Sequence, residues 1–167
     1  MGFLADLFGI NPWCTVDGLP FDIKYYLMTG GFFPFVQQNI DRIIWDSGLK
    51  KYLGLALLTT NYPPKKVKVR NDPDYINTHC CGRRDIFAID YSALLTHEAA
   101  HWHQFIKTGK VDEYFAQYTE ARYMEALSRK LRDKPFTITV PSLDGQRPWT
   151  IQYTGNPSKG QKLLKFK

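Results

Sequence analysis

Five consecutive residues, His97-Glu98-Ala99-Ala100-His101, constrain this chain more than any others. A helix turns once per about 3.6 residues, so side chains four apart stand one above the other on one face. Two imidazoles at that spacing can share one metal ion, and Glu98 projects beside them, where it can take a proton from an activated water. This pattern of residues suits zinc-assisted hydrolysis. It also demands a helix at this point, and a partner element to complete the ligand set.

A catalytic zinc needs three protein ligands and one open position. His103 sits two residues past His101, about 200° around the helix and off the metal face. It is expected as a packing or surface residue. Downstream, Glu113, Glu120 and Glu125 fall on a second predicted helix. If the two helices run antiparallel about a tight turn at Gly109, Glu120 comes level with the histidines, whereas Glu113 comes level with Phe105. Glu125 points about 140° away from Glu120. The expected metal ligands are therefore His97, His101 and Glu120, with Glu113 in reserve. A zinc knuckle built from His79, Cys80 and Cys81 lacks a fourth ligand and the usual spacing.

The remaining pattern reads as an α+β chain. Phe21 to Thr29 is expected to be helical and closed by Gly30-Gly31. Pro34 opens a second helix, whose spacing of Val36, Ile40, Ile43 and Ile44 carries it to Gly48. Leu53 to Leu58 is an apolar run of undetermined type, and Pro63-Pro64 breaks the chain. Lys66-Val67-Lys68-Val69-Arg70 alternates as a half-buried strand does. After a turn-rich stretch from Asn71 to Arg83, Ile86 to Ile89 reads as a more buried strand. Asp90 or Ser92 is then positioned to cap the metal-motif helix, which ends near Thr108 with Lys107 in its last turn and Gly109 as a left-handed stop. A long helix covers about Val111 to Leu131. Phe136 to Val140 and Trp149 to Tyr153 alternate around Asp144-Gly145 and predict a hairpin, followed by a basic tail.

The chain has 167 residues, enough for one domain with a substantial core. We divide it into a mainly helical part (1–60), a core carrying the metal motif (65–132), and a hairpin with basic tail (133–167). No apolar run reaches the roughly 18 residues of a membrane span. Met1 to Pro12 lacks a basic leader and reads as a short amphipathic helix, packed on the body or docked on a partner. The three cysteines do not make a disulfide framework. Reduced thiols fit a cytoplasmic setting. The net charge of +6 concentrates in Lys65, Lys66, Lys68 and Arg70 and in the tail lysines. A solvated strand face explains it more simply than contact with a polyanion, and no nucleic-acid motif accompanies it.

The stretch from Lys65 to Leu127 resembles the small gluzincins, compact relatives of thermolysin. The matching pieces are a strand pair, Leu94-Leu95-Thr96-His97-Glu98-Ala99-Ala100-His101, and Tyr118-Thr119-Glu120-Ala121 on the next helix. Gln104 extends the motif as in some bacterial peptidase-like domains. The resemblance implies a zincin-like fold: a small antiparallel or mixed sheet whose edge strand overlies the metal-motif helix, with a glutamate-bearing helix after it. It implies a zinc metallopeptidase with Glu98 as general base, and makes Ile86 to Ile89 the edge to which an extended substrate adds. Thermolysin relatives place an acidic residue four after the glutamate ligand; here that residue is Met124, so a histidine must be oriented from elsewhere, Gln117 being one candidate. Tyr123 or Tyr114 would be the transition-state donor. Peptide deformylases pair a similar helix with an upstream cysteine, which here would be Cys80 or Cys81. The Asp before the second histidine and the glycine-rich cysteine context of those enzymes are missing.

The expected activity is cleavage of peptide bonds, with a peptide or protein as substrate. The rival expectation is a non-catalytic or vestigial zincin scaffold within a larger assembly, such as a phage or injection particle. The aromatic surface, N-terminal helix and basic tail would then be docking elements. An intact Glu98 speaks against that reading, because a purely structural metal site has no use for a base.

Overall fold

The computed structural model describes residues 12–49, 52–71, 84–131 and the strands 136–140, 149–153 and 164–166; for residues 12, 84–87 and those three strands it gives the backbone alone. The described elements form an α+β arrangement. A 3₁₀ turn (Pro12–Cys14) precedes helices α1 (Phe21–Thr29) and α2 (Phe33–Asn39). Strands β1 (Arg42–Asp46), β2 (Gly54–Ala56) and β3 (Lys66–Arg70) follow, then the long helices α3 (Arg84–Thr108) and α4 (Glu113–Lys130). Strands β4 (Phe136–Val140), β5 (Trp149–Tyr153) and β6 (Leu164–Phe166) complete the order. None of the described helices is long and apolar enough to cross a membrane.

The first sheet has the order β1-β3-β2. β3 pairs parallel with β1, Ile43 opposite Val67 and Trp45 opposite Val69. It pairs antiparallel with β2, Gly54 opposite Val69 and Ala56 opposite Val67. The alternation read at Lys66–Arg70 holds: Val67 and Val69 are buried, and Lys66 is exposed. The expected hairpin also holds, with Ile138 opposite Ile151. Part of the basic tail adds β6 to it. The Asp144-Gly145 turn, the N-terminal segment 1–11 and residues 72–83 lie outside the described residues.

Two element assignments need correction. The helix begun at Pro34 stops at Asn39 instead of running to Gly48, and Arg42–Asp46 is a strand. Asp41 explains the change. The backbone N–H groups of Asp41 and Arg42 both donate to the Lys65 carbonyl, and the Asp41 carboxylate accepts from the Lys65 N–H at 2.7 Å. This clasp docks a β-branched segment onto β3, and the pairing overrides the helical spacing.

Ile86 to Ile89 is not a strand but part of the first two turns of α3, so Asp90 and Ser92 lie inside the helix rather than at its N-cap. The physical reason is the position of α3. It packs against β2 and against α1, α2 and α4. Ala88, Ile89, Tyr91, Ala93, Leu95, Ala99 and Trp102 are all buried. A helix covered on nearly all sides shows no amphipathic period, and its short apolar runs look like buried strands. On one side its core meets Ile43, Val67 and Val69 of the sheet, and on the other Ile23, Leu27, Tyr123 and Leu127 of α1 and α4. Trp102 ties helix to sheet, its indole N–H donating to the Lys66 carbonyl at 2.9 Å.

Candidate metal centre

His97, Glu98 and His101 lie in the middle of α3, which carries their side chains into the buried interior rather than to the surface. His97 and His101 are 2% and 6% exposed and Glu98 is fully buried. The imidazole centroids are 4.9 Å apart and nearly perpendicular. Ligand-type atoms of these three residues lie within 4.8 Å of one another, close enough to share a metal ion. The four-residue spacing therefore does bring both histidines to one point.

The connection to α4 decides which glutamate joins them. Gly109, with φ of 72°, donates its N–H to the Phe105 carbonyl at 2.8 Å and ends α3 as expected. The chain does not then make a tight turn. Asp112 is extended, and Gln104 grips it twice: its carbonyl accepts from the Asp112 N–H at 3.0 Å, and its amide donates to Oδ2 at 3.3 Å. The other oxygen of Asp112 caps α4 by accepting from the Phe115 N–H at 2.8 Å. α4 thus starts beside Gln104, one turn from His101.

Glu113, its first residue, occupies the place expected of Glu120. Its Oε1 lies 2.8 Å from His101 Nε2 and its Oε2 3.1 Å from His97 Nε2. Glu120 sits two turns further on and meets the other nitrogen of His97, Nδ1, at 2.9 Å. The assignment of Glu120 level with both histidines therefore fails. An extended residue advances about 3.3 Å and a helical one 1.5 Å, so the link carries the chain back along α3 before α4 begins.

Glu98 Oε1 stands 3.9 Å from His97 Nε2, on the nitrogen that also faces Glu113. Above it lies Gly54 of the edge strand β2. A Cβ at Gly54 would come within 3.3 Å of Glu98 Cγ and 2.8 Å of Leu94 Cδ1, so any larger residue needs the Leu94 side chain to move and Glu98 to give slightly. The edge strand over the metal-motif helix is therefore β2, within the undetermined Leu53 to Leu58 run, and not Ile86 to Ile89. An isolated glycine opening an apolar run was the available signal for this contact.

Burial opposes charge on His97, but its ion pair with Glu113, its hydrogen bond to Glu120 and the nearby Glu98 outweigh that and raise its pKa to about 10. Glu113 is also opposed by burial, yet His101 and His97 hold its pKa down at about 2. Burial raises Glu120 to about 7 against the pull of His97, with Asp90 and Glu98 adding to the rise. Three buried carboxylates thus converge on two imidazoles, and together they favour the charged form of His97.

Other candidates separate cleanly. Tyr123 is fully buried and donates its hydroxyl to Ser92 Oγ at 2.7 Å, and Tyr114 is 69% exposed. Met124 is core. Gln117 is buried on α4 between Glu113 and Glu120, its Nε2 without a hydrogen-bond partner among the described residues. His103 packs between the rings of Phe35 and Phe115, as its position off the metal face implies. Glu125 pairs with Arg129 on the surface. Cys80 and Cys81 lie outside the described residues. No known protein family, curated protein or solved structure matches this chain.

Proposed function

We propose that this chain is a zinc-dependent hydrolase of peptide bonds, with a zincin-like arrangement of β2, α3 and α4. The observation that carries the reading is the convergence of His97 Nε2, His101 Nε2 and the Glu113 carboxylate beside Glu98, all buried. His97 Nε2 and Glu113 Oε2 pair as ions at 3.1 Å, and Glu113 Oε1 meets His101 Nε2 at 2.8 Å. One carboxylate thus spans both Nε2 atoms, and an ion taking the place of the shared protons would meet the same three groups. Two imidazole nitrogens and one carboxylate are a ligand set suited to catalytic zinc.

His97, His101 and Glu113 would hold the ion, and zinc so held would polarise the scissile carbonyl and acidify a water molecule. Glu98 accepts the proton of the attacking water at its carboxylate and delivers it to the leaving amine nitrogen. Its burial keeps competing solvent away from that transfer. Glu120 accepts from His97 Nδ1–H, which fixes the ring and leaves Nε2 free to ligate. The free side of β2 offers backbone groups to an extended peptide beside Glu98.

Zinc analysis combined with Glu98→Gln tests the proposal. The amide is nearly isosteric and cannot act as a base. One zinc per chain in both proteins, with peptide cleavage by the parent only, is the expected result. A parent that binds zinc but cleaves no peptide library would favour the assembly reading, to which the exposed aromatic pairs Phe21–Tyr25 and Tyr114–Tyr118 would lend docking surfaces. A parent without zinc affinity would sink both.

A further inference from the structure

The sheet has a second feature, away from the metal centre, on the side of β1. Along the solvent face of β1 and β3 the paired residues are Arg42 with Lys66, Ile44 with Lys68, and Asp46 with Arg70. Charge is balanced at one end of this ladder. Lys68 reaches the Asp46 carboxylate at 3.7 Å, and Arg70 stands opposite the same residue. At the other end two cations face each other across the strands. Like charges in that position repel, and neither Arg42 nor Lys66 has an ion-pair partner among the described residues. The adjacent acid, Asp41, is engaged with the Lys65 backbone N–H.

A cleft of about 550 Å³ opens at this doubly positive end. Arg42 and Lys66 line it together with Trp45, Ile44, Pro64 and Cys14. Its size falls within the usual range for small-molecule sites. Its wall combines a tryptophan, isoleucines and a proline with two cationic residues. The indole N–H of Trp45 is already bonded to the Trp13 carbonyl at 2.8 Å, which holds the ring in place. An arginine and a lysine paired across two strands at one cleft suit a carboxylate or phosphate, and the apolar wall suits the body that carries it.

We propose that this cleft binds a small organic anion with an apolar or aromatic body, the anionic group between Arg42 and Lys66 and the body against Trp45 and Pro64. The anion relieves the repulsion that the strand register builds in. The site lies on the β1 side of the sheet, whereas Glu98 lies under β2 at the opposite edge, so the two sites share no residue.

Cys14 supplies a local reporter, being half-buried and in the cleft lining. Phenyl phosphate and benzoate serve as probes, with phenol and inorganic phosphate as the two half-ligands. Calorimetry measures binding, and peptide mass spectrometry measures protection of Cys14 from iodoacetamide. One saturable site per chain is expected for at least one aromatic anion, with Cys14 protected. Each half-ligand should bind at least about tenfold more weakly. Arg42→Gln and Lys66→Gln should each weaken binding at least about tenfold. Both residues lie at the surface, so circular dichroism should show an unchanged fold, and Lys107→Gln, an exposed cation elsewhere, should bind as the parent does. Absence of saturable binding for both aromatic anions overturns the proposal. Equal binding in the Arg42→Gln, Lys66→Gln double variant overturns it as well, and so does equal binding of phenol or of inorganic phosphate.

Discussion

Glu113→Ala and Glu120→Ala should affect zinc very differently, and the contrast tests the geometry of the whole site. Glu113 approaches both Nε2 atoms, at 2.8 and 3.1 Å, whereas Glu120 touches only Nδ1 of His97, at 2.9 Å. Losing a carboxylate that merely orients a ligating histidine costs about 10–100-fold in metal affinity, or about 1.4–2.7 kcal/mol. Losing a ligand leaves two histidines to hold the ion. We expect a fall of at least about 1,000-fold, or about 4 kcal/mol, from the roughly 10–16 kcal/mol typical of structural zinc sites. Competition against a chelator of known affinity measures both. Metal-free melting curves must accompany them, because either deletion strips a buried histidine of its partner at about 1–3 kcal/mol. Glu113→Gln, which keeps the volume, separates ligation from packing. If Glu120→Ala lowers zinc affinity as much as Glu113→Ala, the placement of Glu113 as third ligand is refuted.

Gly54→Ala should leave zinc content unchanged and lower turnover, because the new methyl comes within 3.3 Å of Glu98 Cγ and 3.2 Å of Leu94 Cγ and so presses on the base, at about 1 kcal/mol, the low end of overpacking costs. Loss of zinc, or full activity, would contradict the close approach of strand and base. Asp112→Ala removes the cap on Phe115 N–H and the carboxylate half of the clasp to Gln104, while the backbone N–H bond to Gln104 stays, so the melting curve should report about 1–2 kcal/mol of lost stability. Zinc affinity should fall with it as Glu113 loosens. Gln104→Ala should weaken zinc while keeping the cap; parent-like affinity in both variants would show that the clasp does not set the position of Glu113.

The sequence was most legible where one local rule decided the outcome. The His97 and His101 spacing, the Gly109 stop and the alternation of Val67 and Val69 each follow from the geometry of a single element, and each is observed. It was least legible where packing removed the signal. α3 is buried from Ala88 to Trp102 on nearly every side, so its first turns carry no helical period. Arg42–Asp46 carries a helical spacing that its pairing with β3 overrides. The edge strand β2 has only three residues, too few for alternation to identify.

The third glutamate shows a different kind of failure. Counting residues about a turn assumes that each one advances the chain equally, yet the link from Gly109 to Asp112 is not helical. Gly109 and Lys110 fold back on Thr108, and the extended Asp112 then advances about 3.3 Å where a helical residue would advance about 1.5 Å. The start of α4 is thereby set beside Gln104, one turn from His101. Gln104 makes this path stable by satisfying both the N–H and the carboxylate of Asp112. Asp112 then fixes the first turn of α4, and the next residue in the chain is Glu113. The same two helices with a tight turn would have presented Glu120 instead. Which glutamate meets both histidines therefore rests on Gln104 and Asp112, and the position of Glu113 is a property of the connection rather than of either helix.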